Sequence, residues 1–202
     1  MKKVCRYVYS ELLSHMVYEG NARDKWSILG MHLTDVQWKR MYKQPFIATT
    51  ESKLRSFQFQ IFNRSLVTNK FLHMCKIKDN ALCYFCDKNV ETIDHLLFEC
   101  DAVQLFWKNM AARLGIDVNT YIVEKSVLLG IEKDENQILL NFIFMLGKCY
   151  IYVTKCLKRR LCVEQFIKTL VDHANLEHYI ANLNGRIRKW ENKWKIVKNL
   201  ME

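Results

Sequence analysis

The sequence predicts a mainly α protein: a helical domain interrupted by a small Cys/His module and followed by a helical C-terminal tail region. Three observations point there. Apolar residues recur at three- and four-residue intervals along much of the 202-residue chain, the spacing of one helix face. Proline occurs once and glycine six times, and neither gathers into a linker, which disfavours a many-turned β fold. Three cysteines and a histidine then crowd into one stretch, Cys83-x2-Cys86-x8-His95-x4-Cys100. Half of the residues are hydrophobic, enough to bury a core rather than stay disordered.

Residues 1–19 carry Val4, Val8, Leu12, Leu13, Met16 and Val17 as one stripe and end at Gly20-Asn21. Residues 26–33 form a short apolar piece. Thr34-Asp35-Val36-Gln37 reads as a capping box opening a helix through residue 42, with Trp38 and Met41 on one face and Pro45 as its stop. The next helix, to about residue 64, turns Leu54, Phe57 and Ile61 inward with Leu66 and leaves Lys53, Arg55 and Arg64 on its outer face. Thr68 caps a short helix over 69–75, and Lys76-Ile77-Lys78 enters the Cys module as a strand.

Beyond Cys100, a helix over 103–114 bears Leu105, Phe106, Trp107 and Met110 and ends at Gly115. Residues 126–129 fit a turn of helix or a short strand. Asp134-Glu135-Asn136 sets acids at the positive end of a long apolar helix over 138–157, with Lys158-Arg159-Arg160 at its negative end. That helix has the length of a membrane span. Asn141, Lys148 and Lys155 interrupt it, however, and a central lysine costs about 2.5–3.5 kcal/mol on insertion. A buried helix of a soluble domain is expected, with no membrane partner. Residues 163–178 follow, with Phe166, Leu170 and Leu176 inward. In the last helix, 186–198, Ile187, Trp190, Trp194 and Val197 share one face, and Arg186, Arg188, Lys189, Lys193, Lys195 and Lys198 fill the others. Tryptophans at such spacing read as core anchors.

Cys83, Cys86, His95 and Cys100 supply the four N/S ligands of a closed tetrahedral Zn²⁺ site. Asp79-Asn80 and Asp87-Lys88-Asn89 flank the Cys-x2-Cys half with turn chemistry, and Thr92 caps a short helix with His95 in its first turn. His95 and Cys100 are five apart, roughly 140° on an ideal helix, so that helix must end or tighten before Cys100. His73 and Cys75 lie near enough to be spare ligands, but Cys83 is better spaced. The fold class is thus a helical domain carrying a CCHC zinc knuckle. Four protein ligands leave no open coordination position, so the zinc is structural.

The formal net charge is +10, which suits a polyanionic partner. The other five cysteines are scattered and no signal peptide precedes them. A reducing, intracellular setting, nuclear or cytoplasmic, follows.

The residues around the knuckle also carry a resemblance. Phe57-Gln58-Phe59-Gln60-Ile61-Phe62-Asn63-Arg64, Thr68-Asn69-Lys70-Phe71-Leu72, Val90-Glu91-Thr92-Ile93-Asp94-His95-Leu96-Leu97-Phe98-Glu99-Cys100 and Phe106-Trp107 resemble the zinc-binding region at the C-terminal end of the reverse transcriptases of LINE-type (non-LTR) retrotransposons. Trp26, Leu33-Thr34-Asp35 and Trp38 upstream, and Gly147-Lys148-Cys149-Tyr150 and Asn184-Gly185 with Trp190 and Trp194 downstream, are weaker parts of the same likeness. The resemblance implies three stretches: 1–45, following the polymerase; 46–110, the zinc-binding region; and 111–202, a basic helical C-terminal region. It implies that Met1 begins a fragment of a longer polyprotein.

The chain contains no Asp-Asp pair of the kind that holds polymerase metals, no Gly-rich phosphate loop and no His-Glu-x-x-His, so the expected function is non-catalytic. The first reading is a module gripping template RNA, target DNA or both. Arg64, Lys76, Lys78, Lys88, Lys158, Arg159, Arg160, Arg186, Arg188 and Lys189 would meet phosphates, and Tyr84 or Phe85 at the knuckle tip would stack on a base. For Phe85, packing beneath the knuckle is the equal alternative. The second reading is a protein-interaction scaffold stapled by zinc, docking a polymerase core or an acidic partner.

Overall fold

The computed structural model describes residues 22–132, 134–195 and 197. The helix expected over 1–19, and Lys198, lie outside them. Ten α-helices are named here: α1 (Ala22–Ile28), α2 (Asp35–Ala48), α3 (Ser52–Phe62), α4 (Asn69–Met74), α5 (Asp101–Leu114), α6 (Val118–Tyr121), α7 (Glu124–Leu129), α8 (Gln137–Cys156), α9 (Val163–Leu183) and α10 (Ile187–Trp194), with a π-helical turn, His95–Glu99, before α5. The only pairing of extended chain among the described residues is an isolated antiparallel bridge, Leu82 to Val90.

Local chemistry sets several of these boundaries. Thr34 and Gln37 close the capping box on α2, side chain to backbone in both directions. Thr68 Oγ1 accepts from Phe71 N at the start of α4. Gly115, at φ 65°, ends α5 in the left-handed region. Pro45 does not stop α2. It sits inside the last turn, its carbonyl accepting from Thr49 N at 3.2 Å. The ring forfeits one amide bond, and packing of α2 against α3 and α8 holds the turn closed. Lys76-Ile77-Lys78 is a turn rather than a strand. Ile77 N and Lys78 N both donate to Leu72 O, and Lys76 has a positive φ.

Helix α8 is the axis of the fold. It packs against α2, α3, α7, α9, α10 and the π turn, and every residue from Leu139 to Lys148 is buried. By length and composition α8 could cross a membrane, but two-thirds of its most apolar window (67 %) is covered by the rest of the protein. One cluster of buried hydrophobic residues runs from Trp26 to Val197, so residues from all three stretches of the sequence contribute to it. One apolar assignment falls on the wrong face: Leu176 is 58 % exposed, while Ala174 takes an inward position.

Close approach of α8 to α5 depends on Gly147. A Cβ there would lie 2.5 and 2.7 Å from ring atoms of Trp107, distances real side chains do not tolerate. Trp107 is fully buried, and its indole N–H donates to Leu97 O at 3.0 Å. The glycine therefore lets the long helix press the tryptophan against the π turn. Next along α8, Lys148 is fully enclosed and makes a single hydrogen bond, to Leu128 O at 3.1 Å. Burial without a counter-charge holds its amine well below the ordinary lysine pKa.

Candidate metal centre

The first half of the site is a tight turn. Cys83 N donates to Asn89 O and Glu91 N to Ala81 O, both at 2.8 Å, closing the chain on itself. Asn80 Oδ1 accepts from Leu82 N at 3.1 Å, an Asx turn ahead of the first cysteine. Asp87 supplies the positive φ, and its amide donates to Cys83 O. This geometry brings Cys83 and Cys86 to one side.

The second half turns on a π-helical ring. Thr92 Oγ1 accepts from His95 N at 3.0 Å, the cap expected from sequence. The helical stretch ends at Glu99, but its last turn widens instead of tightening: Cys100 N donates to His95 O at 2.9 Å, five residues back. An i→i+5 ring brings a five-residue spacing back to the same side, which an α turn would not. The extended backbone at Cys100, ψ 130°, then breaks the chain before α5 begins at Asp101.

The two halves meet. Ligand atoms of Cys83, Cys86, His95 and Cys100 all lie within 4.8 Å of one another. Cys83 Sγ is 3.9 Å from Cys100 Sγ, and Cys86 Sγ is 3.3 Å from His95 Nε2. Zinc at its usual bond lengths holds neighbouring tetrahedral ligand atoms about 3.5–3.8 Å apart, so donor set and spacing fit the ion. His95 would bind through Nε2, and its Nδ1 lies 4.0 Å from Glu99 Oε2, on the side where a carboxylate fixes the tautomer. Backbone amides of Phe85 and Cys86 face the Cys83 sulfur, and those of Ala102 and Val103 face Cys100. Each favours a thiolate. Without a cation the facing thiols share a proton. Cys83 is pushed up, first because it donates to Cys100 and then by burial, and Cys100 is pulled down, first because it accepts from Cys83. His73 and Cys75 stay out of the cluster, with His73 Nδ1 lying 3.1 Å from Lys78 O.

The arrangement is that of a helical protein with a closed Cys₃His zinc site, structural in type. Residues 11–107 match the family described as zinc-binding in reverse transcriptase. The chain thus carries a reverse-transcriptase-associated zinc-binding region, and zinc is its cofactor. No curated protein and no solved structure matches the chain.

The basic residues singled out in the sequence part into two groups. Lys76, Lys78, Lys88, Lys158, Arg159, Arg160, Arg186, Arg188 and Lys189 are all exposed and pair with no acid among the described residues. Arg64 is different. Its guanidinium forms a two-pronged ion pair with Asp94, lies 4.7 Å over the Trp26 ring, and its side chain is only 13 % exposed. It braces the residue next to His95 rather than facing outward. Tyr84 is exposed, whereas Phe85 is half-buried against the core, with the rings edge to face 5.2 Å apart.

Sequence reasoning missed Glu91. Its carboxylate is completely buried; one oxygen accepts from Asn69 N at 2.7 Å, the other from Tyr84 N at 3.0 Å, and Lys155 of α8 supplies the counter-charge. The only signal in sequence was a lysine near the end of an apolar run.

Proposed function

We propose that this chain is a non-catalytic, zinc-stabilised nucleic-acid-binding segment, corresponding to the C-terminal part of a LINE-type reverse transcriptase, and that it grips template RNA, target DNA or both. The observation that carries the reading is the division of the cations. Arg64, Lys155 and Lys193 are matched by acids of the chain itself, while the exposed Lys76, Lys78, Lys88, Lys158, Arg159, Arg160, Arg186, Arg188 and Lys189 pair with no acid among the described residues. Unmatched surface cations are what a phosphate backbone neutralises. The family match, which is to a zinc-binding region and includes no catalytic domain, is in keeping with this. Tyr84, rather than Phe85, is the ring open to a base. The reading places the chain in a reducing intracellular compartment, nuclear or cytoplasmic, in contact with a polymerase core and with no membrane.

Neutralising Lys158, Arg159 and Arg160 together, or Arg186, Arg188 and Lys189 together, should weaken RNA and DNA binding for all sequences alike. Each lost phosphate contact should make the log–log salt dependence shallower by about 0.7–0.9. Tyr84→Ala should cost about 1–3 kcal/mol on single strands and leave the slope unchanged. Parent-like binding by both triple variants at low salt, with zinc retained, would refute the reading.

A second reading, a protein-docking scaffold, rests on a different observation. A groove of about 710 Å³ between α2, α8, α9 and α10 is lined by Phe46, Ile47, Ile138 and Ile180, with Arg186 and Lys189 among its walls. Retained binding of a polymerase core by variants that have lost nucleic acid would favour it.

A further inference from the structure

The knuckle has almost no apolar interior, so something else must hold Cys83 where the other three ligands can reach it. Two residues flank that cysteine and both are anchored. Leu82 O accepts from Asn69 Nδ2 at 2.7 Å, and Tyr84 N donates to Glu91 Oε2 at 3.0 Å. The Glu91 carboxylate also accepts from Asn69 N at 2.7 Å, so both anchors converge on one fully buried acid. Its counter-ion comes from neither the knuckle nor its neighbours in sequence. It is Lys155, in the last turn of α8, which also reaches Val67 O at 3.5 Å and lies 5.5 Å from the Tyr152 ring.

We propose that Glu91 and Lys155 are positioning residues for the metal site, and that zinc binding is thereby coupled to the docking of the C-terminal end of α8. A buried carboxylate is tolerated only when paired and hydrogen-bonded. With Lys155 in place, Glu91 is paired and pins the amide next to Cys83. When α8 undocks, the acid loses its counter-charge, the pin is released and the pre-formed ligand geometry loosens. Coupling of this kind is reciprocal: zinc must strengthen the docking of α8 by the factor by which docking strengthens zinc. Lys155 lies well outside residues 11–107, so the metal site draws a supporting residue from beyond the matched region. The inference rests on the metal site alone and stands apart from nucleic-acid binding.

The test is competition for zinc between the full chain and a chromophoric chelator. Glu91→Gln and Lys155→Met should each weaken zinc 10–100-fold, the range for residues that orient metal ligands, and Lys155→Arg should restore most of the loss. Leu170→Ala, which empties a buried site in α9, should destabilise the fold without changing the affinity, separating positioning from general stability. Hydrogen exchange gives the reciprocal measurement and needs no variant. Removing zinc should raise exchange in the last turn of α8, around residues 151–157, more than around 140–146. Parent-like zinc affinity in Lys155→Met, or equal exchange in the two halves of α8 after zinc removal, would overturn the proposal. A parent chain that binds no zinc would overturn it together with the metal site itself.

Discussion

Between Thr68 and Glu91 the only buried hydrophobic side chain is Cys83, whereas every residue of α8 from Leu139 to Lys148 is buried. The knuckle is held by amide-to-carbonyl closures, one enclosed acid and a set of metal ligands; α8 is held by burial on all sides. A stretch as short as the knuckle cannot exclude enough water to order itself. Directional bonds can order it, provided that each one is satisfied. The difference implies two failure modes within one protein. The knuckle should fail locally and abruptly when a ligand or the ion is lost, and the helical core should fail gradually and globally as packing is perturbed.

Metal removal should separate the regions most sharply. Structural zinc is worth about 10–16 kcal/mol of apparent binding free energy at neutral pH, more than many whole domains. Cys83→Ser, Cys86→Ser, His95→Ala and Cys100→Ser should each abolish stoichiometric zinc and expose the amides around the knuckle to exchange, while Cys162→Ser, at an exposed position, should change neither. Elemental analysis showing no zinc in folded parent protein would remove the basis of the comparison. The same site should release its ion in acid. Metal-free Cys83 is shifted upward and so carries its proton at neutral pH; zinc must displace it. Affinity should therefore fall by at least roughly tenfold per pH unit on acidification below neutrality, measurable by chelator competition at several pH values.

Gly147→Ala probes the contact through which the core reaches the metal module. The added methyl has no room beside Trp107, and overpacking of this kind costs about 1–3 kcal/mol, read as a shift in the denaturant midpoint at saturating zinc. Unchanged stability would mean that α8 and α5 can part without cost.

A smaller effect, of the opposite sign, is expected at Lys148. Its native pKa is depressed by burial while the unfolded chain keeps the ordinary value. The unfolded state therefore binds more protons in the window between the two, and stability should rise with pH across it. Lys148→Met should flatten that slope and stabilise the protein at neutral pH. A destabilised Lys148→Met would show instead that the hydrogen bond to Leu128 O outweighs the desolvation.

Features encoded in adjacent residues were the ones legible in the sequence. The Thr34/Gln37 box, the Thr68 and Thr92 caps, the glycine stop at Gly115 and the four ligands with their turn residues all act within a few positions of one another. Errors arose where the answer depends on distant packing. Pro45 stays helical because α8 backs its helix, and Leu176 faces out because Ala174, two residues away, fills the inward position. Arg64 looked like a surface cation until Asp94, thirty residues on, was brought against it. Glu91 and Lys155 lie far apart in sequence, and no local rule could have joined them.

The π turn at His95–Glu99 acts as a gear with one extra tooth. Every residue from Asp101 onward is phased by it: α5 leaves the metal with Phe106 and Trp107 inward only because the ring before it contains one residue more than an α turn. Removing a single position there, such as the half-buried Phe98, would do more than delete a side chain. It would let a 3.6-residue turn replace the wide ring, and at the new spacing of four that turn sets Cys100 about 40° from His95, close to where the wide ring already holds it. Five residues wound as an α turn would instead leave Cys100 about 140° from His95, so the match between the width of the ring and the number of residues in it, more than their identity, is the constrained quantity.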